Sequence, residues 1–286
     1  MKTKTAFRAI FCLAVVATAS ALGQQPPPAL PQDASQYVRQ VIQHELDVDG
    51  HDQSLWRYRF HRESDRIIYD RDVVETREGQ IARTLLISNQ PLSPQQRADD
   101  DARLQSLMHD ADDRAKHNKR IKDDRDRARR MLQALPDAFD FKYDGTEDGL
   151  VRLQFSPRPR YDAPTRELQA YRSMTGTLWI DSAGAHVARI DGKLFEDVNF
   201  GWGLLGRLKK GGTFHVVQKE VAPGHWEIVA LDVDMTGYAV IFKSINVKQH
   251  QRQMDFHRMP DDMTLSRAYE LLQKDPLPAT TAENKR

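Results

Sequence analysis

The 286-residue chain has few of the residues that point directly to chemistry. It contains one cysteine, Cys12, and its ten histidines show no metal-ligand spacing such as His-Glu-x-x-His. Lys and Arg number 42 against 41 Asp and Glu, so no global field would hold nucleic acid. No run after the first residues reaches the ~20 apolar residues that cross a bilayer. These absences exclude several binding classes and leave a near-neutral protein without an evident catalytic motif.

The first 23 residues have the three parts of a secretory signal. A basic start is followed by an apolar middle over 9–17 and then by small residues, which predicts cleavage near Ala21 to Gly23. Because Cys12 lies inside this segment, the mature chain would have no cysteine, and its net charge would fall from +1 to −2. We therefore predict an exported, periplasmic protein with no membrane span, no metal and no cofactor.

The rest of the chain predicts an α+β protein dominated by antiparallel sheet. Residues 24–32, rich in proline and glutamine, are typical of an extended tether, and 275–286 of a loose polar tail. Residues 33–274 are predicted to form a single domain. Asp33 or Ser35 caps a first helix, three strands reach residue 89, and a final helix follows Thr264 or Asp261.

Residues 95–135 form a predicted helical insertion between the early and late strands. They contain neither glycine nor proline, carry many charges of both signs, and place only a thin apolar stripe on one side. Pro136 is expected to end the helix, which is either continuous or bent. The simplest interpretation is a solvated helix lying across the sheet, and the alternatives are a mobile lid and a partner-binding coiled coil.

Between Met174 and Met259, short runs alternate apolar and polar residues in the period of a strand. Several runs are apolar on both faces, so the sheet either is covered on both sides or encloses an apolar cavity. The predicted apolar wall, serving as core or as ligand contact, consists of Trp56, Tyr58, Phe60, Trp179, Trp226, Ile228, Val240 and Phe242.

The segment GWGLLG at 201–206 matches a dinucleotide-binding glycine pattern, but strands follow it where a helix would be required. The better functional interpretation is an apolar hairpin or loop that gates a cavity or touches lipid. Its gating residues would be Phe200, Trp202, Leu204 and Leu205. The alternative is a tight turn whose side chains fill the core.

Several of these segments together resemble a known family. WRYRFHRE after the first helix, GTLWIDSAGAHVARIDGKL, QKEV, HWEIVALDVDMTGYAVIFKSI and DFHRM resemble the exported outer-membrane lipoprotein carriers, the LolA/LolB-like superfamily, in an uncharacterised bacterial branch. The resemblance covers 35–89 loosely and 174–259 better. It implies an unclosed antiparallel barrel whose helices plug a concave apolar face that receives acyl chains. Relatives with this fold also act as sensors, and this chain departs from the small carriers by its length and its charged helix.

The first hypothesis is therefore a non-catalytic periplasmic carrier or binding protein for a hydrophobic ligand, such as a lipoprotein acyl chain or another lipid. The second is an interaction or sensor protein that uses the charged helix to bind another envelope protein. The third is an exported hydrolase. No residue is predicted to be catalytic, so its site would be dispersed along the chain and would leave no local motif. The expected partner is a hydrophobic ligand or a lipoprotein, without nucleic acid.

Overall fold

One large antiparallel sheet forms the frame of this protein. The computed structural model describes residues 30–183, 185–200, 206–239 and 243–278, without the side chains of 238–239 and 243–247. In those ranges the strands are β1 (Trp56–Ser64), β2 (Ile68–Thr76), β3 (Gly79–Ile87), β4 (Gln90–Pro91), β5 (Phe139–Glu147), β6 (Leu150–Pro157), β7 (Met174–Asp181), β8 (His186–Leu194), β9 (Val198–Phe200), β10 (Gly206–Leu208), β11 (Thr213–Ala222), β12 (His225–Ala239) and β13 (Lys243–Arg258). The helices are α1 (Ala34–His51), α2 (Pro94–His109), α3 (Ala111–Ala138) and α4 (Leu265–Lys274), with a 3-10 helix at Glu167–Ser173.

The sheet does not close on itself. Its 13 strands include a path in the order β4–β3–β2–β1–β13–β12–β11–β8–β7–β6–β5, and β10 attaches the short β9–β10 hairpin to β12. Neighbouring strands run antiparallel, and β13, late in the chain, pairs with β1 near the middle of the sheet. The prediction of an α+β protein with an unclosed antiparallel sheet is confirmed.

Strand pairing assigns the side chains to two faces, which we call inner and outer. Directly paired residues share a face, and neighbours along a strand point to opposite faces. One row across the inner face consists of Leu178, Ile190, Val216, Leu231, Gln251, Arg62 and Tyr69. The next row, on the outer face, consists of Thr177, Asp191, His215, Asp232, His250, Glu63 and Ile68.

The first buried cluster lies on the inner face at the β5–β8 end of the sheet. Leu178 and Ile180 of β7 are 1% and 0% exposed, and Val38 and Val41 of α1 belong to the same cluster. Asp33 begins α1 by accepting hydrogen bonds from backbone N–H groups of its first turn, as one of the two predicted caps. Helix α1 therefore covers this half of the inner face.

The second buried cluster lies on the opposite face at the other end. Val74 pairs with Arg57, which alternates with the inner-face residue Tyr58, so Val74 and its partner Ile81 point outward. Both are completely buried, together with Leu104 of α2 and apolar residues of α4. The sheet is thus covered on different faces at its two ends.

The charged insertion forms two helices that meet at Asp110. Asp110 has an extended backbone, with φ −102° and ψ 109°, and its carboxylate accepts hydrogen bonds from the N–H groups of Asp112 and Asp113. The expectation that Pro136 ends the helix is wrong, since α3 continues to Ala138. A proline lacks one N–H donor, so one helical hydrogen bond is lost. Only two residues of α3 follow Pro136, so little of the helix depends on that bond.

Side chains of α2 and α3 complete the free edge of β3. An unpaired edge exposes backbone N–H and C=O groups to other chains, so cover at this edge prevents unwanted pairing. The carboxylate of Asp100 accepts from the N–H of Thr84 at 3.1 Å and from its hydroxyl at 2.7 Å. Arg103 donates to the carbonyl of Ala82 and His117 to that of Gln80, both in β3, and Asn118 donates to the carbonyl of Glu78 just before it.

Helix α3 also connects the two ends of the sheet. After its contacts with β3, Arg129 donates to the carbonyl of Leu46 in α1 at 3.1 Å. Between these anchors, residues 119–128 are mostly exposed, and their ion pairs, such as Lys119 with Asp123 at 2.6 Å, lie within the helix. The apolar stripe is therefore buried near its ends and not in its middle. That this helical insertion acts as a mobile lid or as a partner-binding coiled coil stays a prediction.

The predicted loose tail begins with ordered contacts. The carbonyl of Asp275 accepts a hydrogen bond from Arg57, and the N–H of Leu277 donates to Asp72 at 2.8 Å. Arg57 and Asp72 form a buried ion pair of 2.7 Å, so the chain after α4 is held against β1 and β2. The predicted signal 1–23, most of the tether and residues 279–286 lie outside the described residues.

Replacing Asp100 by alanine should destabilise the protein markedly. The change removes two hydrogen bonds to Thr84 and leaves Arg103 without its carboxylate partner, at a cost of about 2–4 kcal/mol. Urea denaturation followed by circular dichroism measures the free energy of unfolding. The control is Asp101→Ala, because Asp101 is half exposed and pairs with Arg83, an interaction worth about 1 kcal/mol or less. Equal losses would show that Asp100 does not protect the edge.

Candidate functional site

The inner face changes from fully buried to partly exposed where β11 and β12 follow β8. The apolar residues of this region, which we call the apolar strip, are Phe214, Val216, Leu231, Val233 and Met235. All five remain partly exposed, unlike the completely buried Ile180 on the same face. Phe214 lies over Gly192 of β8, where a larger side chain would collide with its ring. The strip therefore extends the first cluster onto an incompletely covered surface.

Beyond the strip, the inner face becomes polar. Gln249, Gln251 and Gln253 occupy this face on β13, and Arg62 and Arg71 follow on β1 and β2. The face is therefore amphipathic. Apolar residues predominate on β11 and β12, whereas β13 to β2 carry glutamine and arginine side chains beside aromatic residues such as Phe60. Polar side chains therefore interrupt the apolar residues of this face.

The predicted wall residues of β1 do share the inner face. Trp56, Tyr58 and Phe60 alternate along the strand, and Tyr58 stacks on Phe256 of β13 with ring centroids 5.3 Å apart. Trp56 is only 5% exposed and stacks on His225 at 4.3 Å. Trp56 is therefore buried against His225, as a residue of the packed interior.

The other predicted wall residues separate. Trp226 stacks on His186 at 4.8 Å, and Ile228 is 36% exposed. Trp179 pairs with Arg189 on the outer face, where the guanidinium lies 4.3 Å from the indole ring. Trp179 therefore lies on the opposite face of the sheet from Trp56, Tyr58 and Phe60, because its neighbour Leu178 points to the inner face.

Part of the predicted site lies outside the described residues. This is so for Val240 and Phe242 of the wall and for Trp202, Leu204 and Leu205 of the gating loop. Phe200, the remaining gating residue, ends β9 and packs against the first buried cluster. The strands on either side of this loop form the β9–β10 hairpin, with Phe200 opposite Gly206. The gating role stays a prediction.

A group of ionisable residues lies beside the aromatic residues of β1. Glu75 of β2 accepts a hydrogen bond from the N–H of Trp56 at 3.2 Å. Burial, together with the charge of Glu227, raises the pKa of Glu75 to about 7 from its ordinary value of 4.5. Burial also raises the pKa of Tyr58, as do the charges of Glu75 and Glu227. Arg125 of α3 acts in the opposite direction on both groups.

His225 connects these residues to the end of α1. Its Nδ1 lies 3.0 Å from Asp52 and its Nε2 lies 3.1 Å from Glu227, so both ring nitrogens face carboxylates. Burial lowers the pKa of His225, but the hydrogen bond to Glu227 and the negative charges of Glu227, Asp52 and Glu75 outweigh burial and raise it overall. An imidazolium is favoured here because each N–H can donate to an anion. We call Asp52, Tyr58, Glu75, His225 and Glu227 the Glu75 cluster.

Sequence reasoning missed the Glu75 cluster. In the run DRDVVET, Glu75 follows two apolar residues and alternates with Val73, which pairs with Tyr58 on the inner face. That alternation indicates a carboxylate on a buried face. A buried carboxylate is unusual, and this was the feature of the sequence that could have revealed the cluster. The partner Glu227 belongs to a distant strand, so its proximity was not predictable from local pattern.

Two surface grooves lie away from the apolar strip. One, of about 790 Å³, is formed by α2 and α3 and has Arg103, His117 and Arg120 among its lining residues. The other, of about 720 Å³, lies at Pro157 to Asp162 with Arg172 and Phe195. In the described part of the chain, no group of three or more His, Cys, Asp or Glu residues could hold a metal ion. None of the described helices has the length and apolar character to cross a membrane.

Comparison with known proteins gives two similar solved structures. One is a domain from Vibrio parahaemolyticus, provisionally described as an outer membrane lipoprotein-sorting protein, with 9% identity, a TM-score of 0.32, and coverage of 84% of this chain and 100% of that one. The other is a DUF1329 family protein from Desulfovibrio piger, with 10% identity, a TM-score of 0.25, and coverage of 79% and 93%.

No family model matches the chain, and no curated protein matches it. At these TM-scores the two structural similarities carry no argument about function.

Glu75→Gln should stabilise the protein at alkaline pH and not at acidic pH. Protonated Glu75 favours the fold below about pH 4.5, and this contribution is lost as the pH rises to about 7, because the unfolded chain ionises first. We expect the variant to gain about 1–3 kcal/mol over the wild type at pH 8 and little at pH 4.5. Urea unfolding at a series of pH values measures the difference. The control, Glu63→Gln at an exposed position, should show no such trend, and a pH-independent effect of Glu75→Gln would contradict the prediction.

Proposed function

We propose that this protein is a periplasmic carrier or binding protein for a hydrophobic ligand, with an acyl chain as the bound part. The observation that carries the proposal is the apolar strip. On one face of one sheet, side chains that are completely buried on β7 are followed by equally apolar side chains on β11 and β12 that are partly exposed. An apolar surface continuous with a core gains free energy when a ligand covers it, about 25 cal/mol for each Å² removed from water.

The arrangement of helices supports the same function. Helix α1 covers the inner face at one end of the sheet, and α3 connects β3 to α1 with an exposed central segment. That central segment buries almost no apolar area, so displacing it costs less than displacing α1, whose Val38 and Val41 are completely or almost completely buried. The central segment of α3 would therefore be displaced more easily than α1.

One observation favours a second candidate, an exported hydrolase. A carboxyl group with a pKa of about 7 is suited to general acid–base catalysis, and Glu75 has Tyr58 and His225 nearby. The Glu75→Gln variant separates the two functions. A hydrolase would lose turnover of acyl esters in this variant, whereas a carrier would retain acyl binding.

A matched pair of variants on β11 tests the carrier proposal. Val216 and Val217 are adjacent and both are partly buried, but Val216 belongs to the strip, whereas Val217 lies opposite Ala230 on the outer face. Val216→Asn should weaken binding of a fluorescent neutral monoacylglycerol by about tenfold, because a polar amide replaces apolar contact. Val217→Asn should leave the dissociation constant within about twofold of the wild-type value.

Thermal unfolding of both variants checks that the sheet is intact. A wild-type protein that does not bind the probe would overturn the carrier proposal. Equal weakening by the two substitutions would place the ligand elsewhere than on the apolar strip.

A further inference from the structure

Arg71 is a cation without an anionic partner among the described residues. It lies on the inner face of β2, paired with Phe60, and its guanidinium packs over the ring of Tyr69 at 4.3 Å. Its Nε is buried and has no hydrogen-bond partner. Since burying an unpaired charge is costly, this position needs an explanation beyond packing.

The charged neighbours of Arg71 make the unpaired charge more costly. Arg62 lies diagonally from it on β1, and Arg103 belongs to α2. Burial lowers the pKa of Arg71, and the positive charges of Arg103 and Arg62 lower it further. The nearby carboxylate, Asp100, already accepts hydrogen bonds from Thr84 and Arg103. Arg62 donates to the neutral amide of Gln249 at 2.6 Å, and its Nε is also buried without a partner.

The groove between α2 and α3 extends this positive region outward. Arg103 and His117 line the groove and lie near Arg71. Burial, with the charges of Arg120, Arg103 and Arg71, lowers the pKa of His117. Arg120, on the same groove, forms no ion pair within the ranges that the structure describes. Asp113 and Asp123 also line the groove, but they pair with Lys116 and Lys119, so an anion that enters the groove meets a net positive charge.

We infer that Arg71, Arg62 and Arg103 form a binding site for an oxyanion, specifically a phosphate group. Guanidinium groups hold phosphate oxygens with paired, charge-assisted hydrogen bonds, which would satisfy the donors that are unpaired in the free protein. This inference rests on the proposed function and deepens it. The ligand would be an anionic amphiphile, with its acyl chain on the apolar strip and its phosphate at Arg71, on the polar half of the same face.

The experiment compares two amphiphiles with one acyl chain, lysophosphatidic acid and the neutral monoacylglycerol. Isothermal titration calorimetry should show that the wild-type protein binds the phosphate-bearing ligand at least about tenfold more tightly. Arg71→Gln should reduce this ratio to near one while leaving the monoacylglycerol affinity unchanged. Arg62→Gln, a second variant, should reduce the ratio partly.

The matched control is Arg83→Gln. Arg83 lies at the same end of the sheet but opposite Asp72 on the outer face. Its Nε, like that of Arg71, is buried without a hydrogen-bond partner, but its guanidinium already binds the carboxylate of Asp101 at 2.9 Å. This variant should retain the wild-type preference for lysophosphatidic acid. Equal affinities of the two amphiphiles for the wild-type protein, or an unchanged preference in Arg71→Gln, would overturn the inference.

Glycerol 3-phosphate distinguishes a soluble phosphate ester from a lipid as the source of the anion. If neither amphiphile binds, the carrier proposal fails. A rise in melting temperature with glycerol 3-phosphate for the wild type, absent in Arg71→Gln, would then still support the anion site. No rise in either protein, together with no amphiphile binding, would reject the site as well.

Discussion

The side chains of one twisted sheet point alternately to two faces, and each face that carries apolar residues must be covered. In this protein the cover is divided. Helix α1 packs on the inner face at the β5–β8 end, while α2 and α4 bury Val74 and Ile81 on the outer face at the β1–β3 end. The strands between these clusters are completely buried on neither face, and the apolar strip results from this division.

Helix α3 has two structural roles, one at each of its ends. Its first part, with α2, supplies side chains to the free backbone groups of β3, which protects an edge that could pair with other chains. Its last part packs against α1 and the first cluster. The segment between them carries charges and little apolar area, so the helix crosses the open face without filling it.

The inner face thereby has two chemically different halves. On β11 and β12 it carries apolar side chains, and on β13, β1 and β2 it carries amides and guanidinium groups among aromatic side chains. A ligand with both characters matches such a surface better than a purely apolar one, since an apolar ligand would leave Arg71 unpaired. The Glu75 cluster lies beside these halves and adds a carboxyl group whose charge changes near neutral pH.

The sequence by itself determined the local features. Alternation predicted the strands and placed Trp56, Tyr58 and Phe60 on one face, capping residues such as Asp33 marked a helix start, and composition predicted the charged helices. Only the tertiary structure decided which face of each strand is covered. Leu178 and Trp179 are both apolar, so their order along the chain does not say which points inward. The meeting of Glu75 with Glu227, and of Arg71 with Arg103, depends on pairing and packing between distant segments, and no local pattern contains that information.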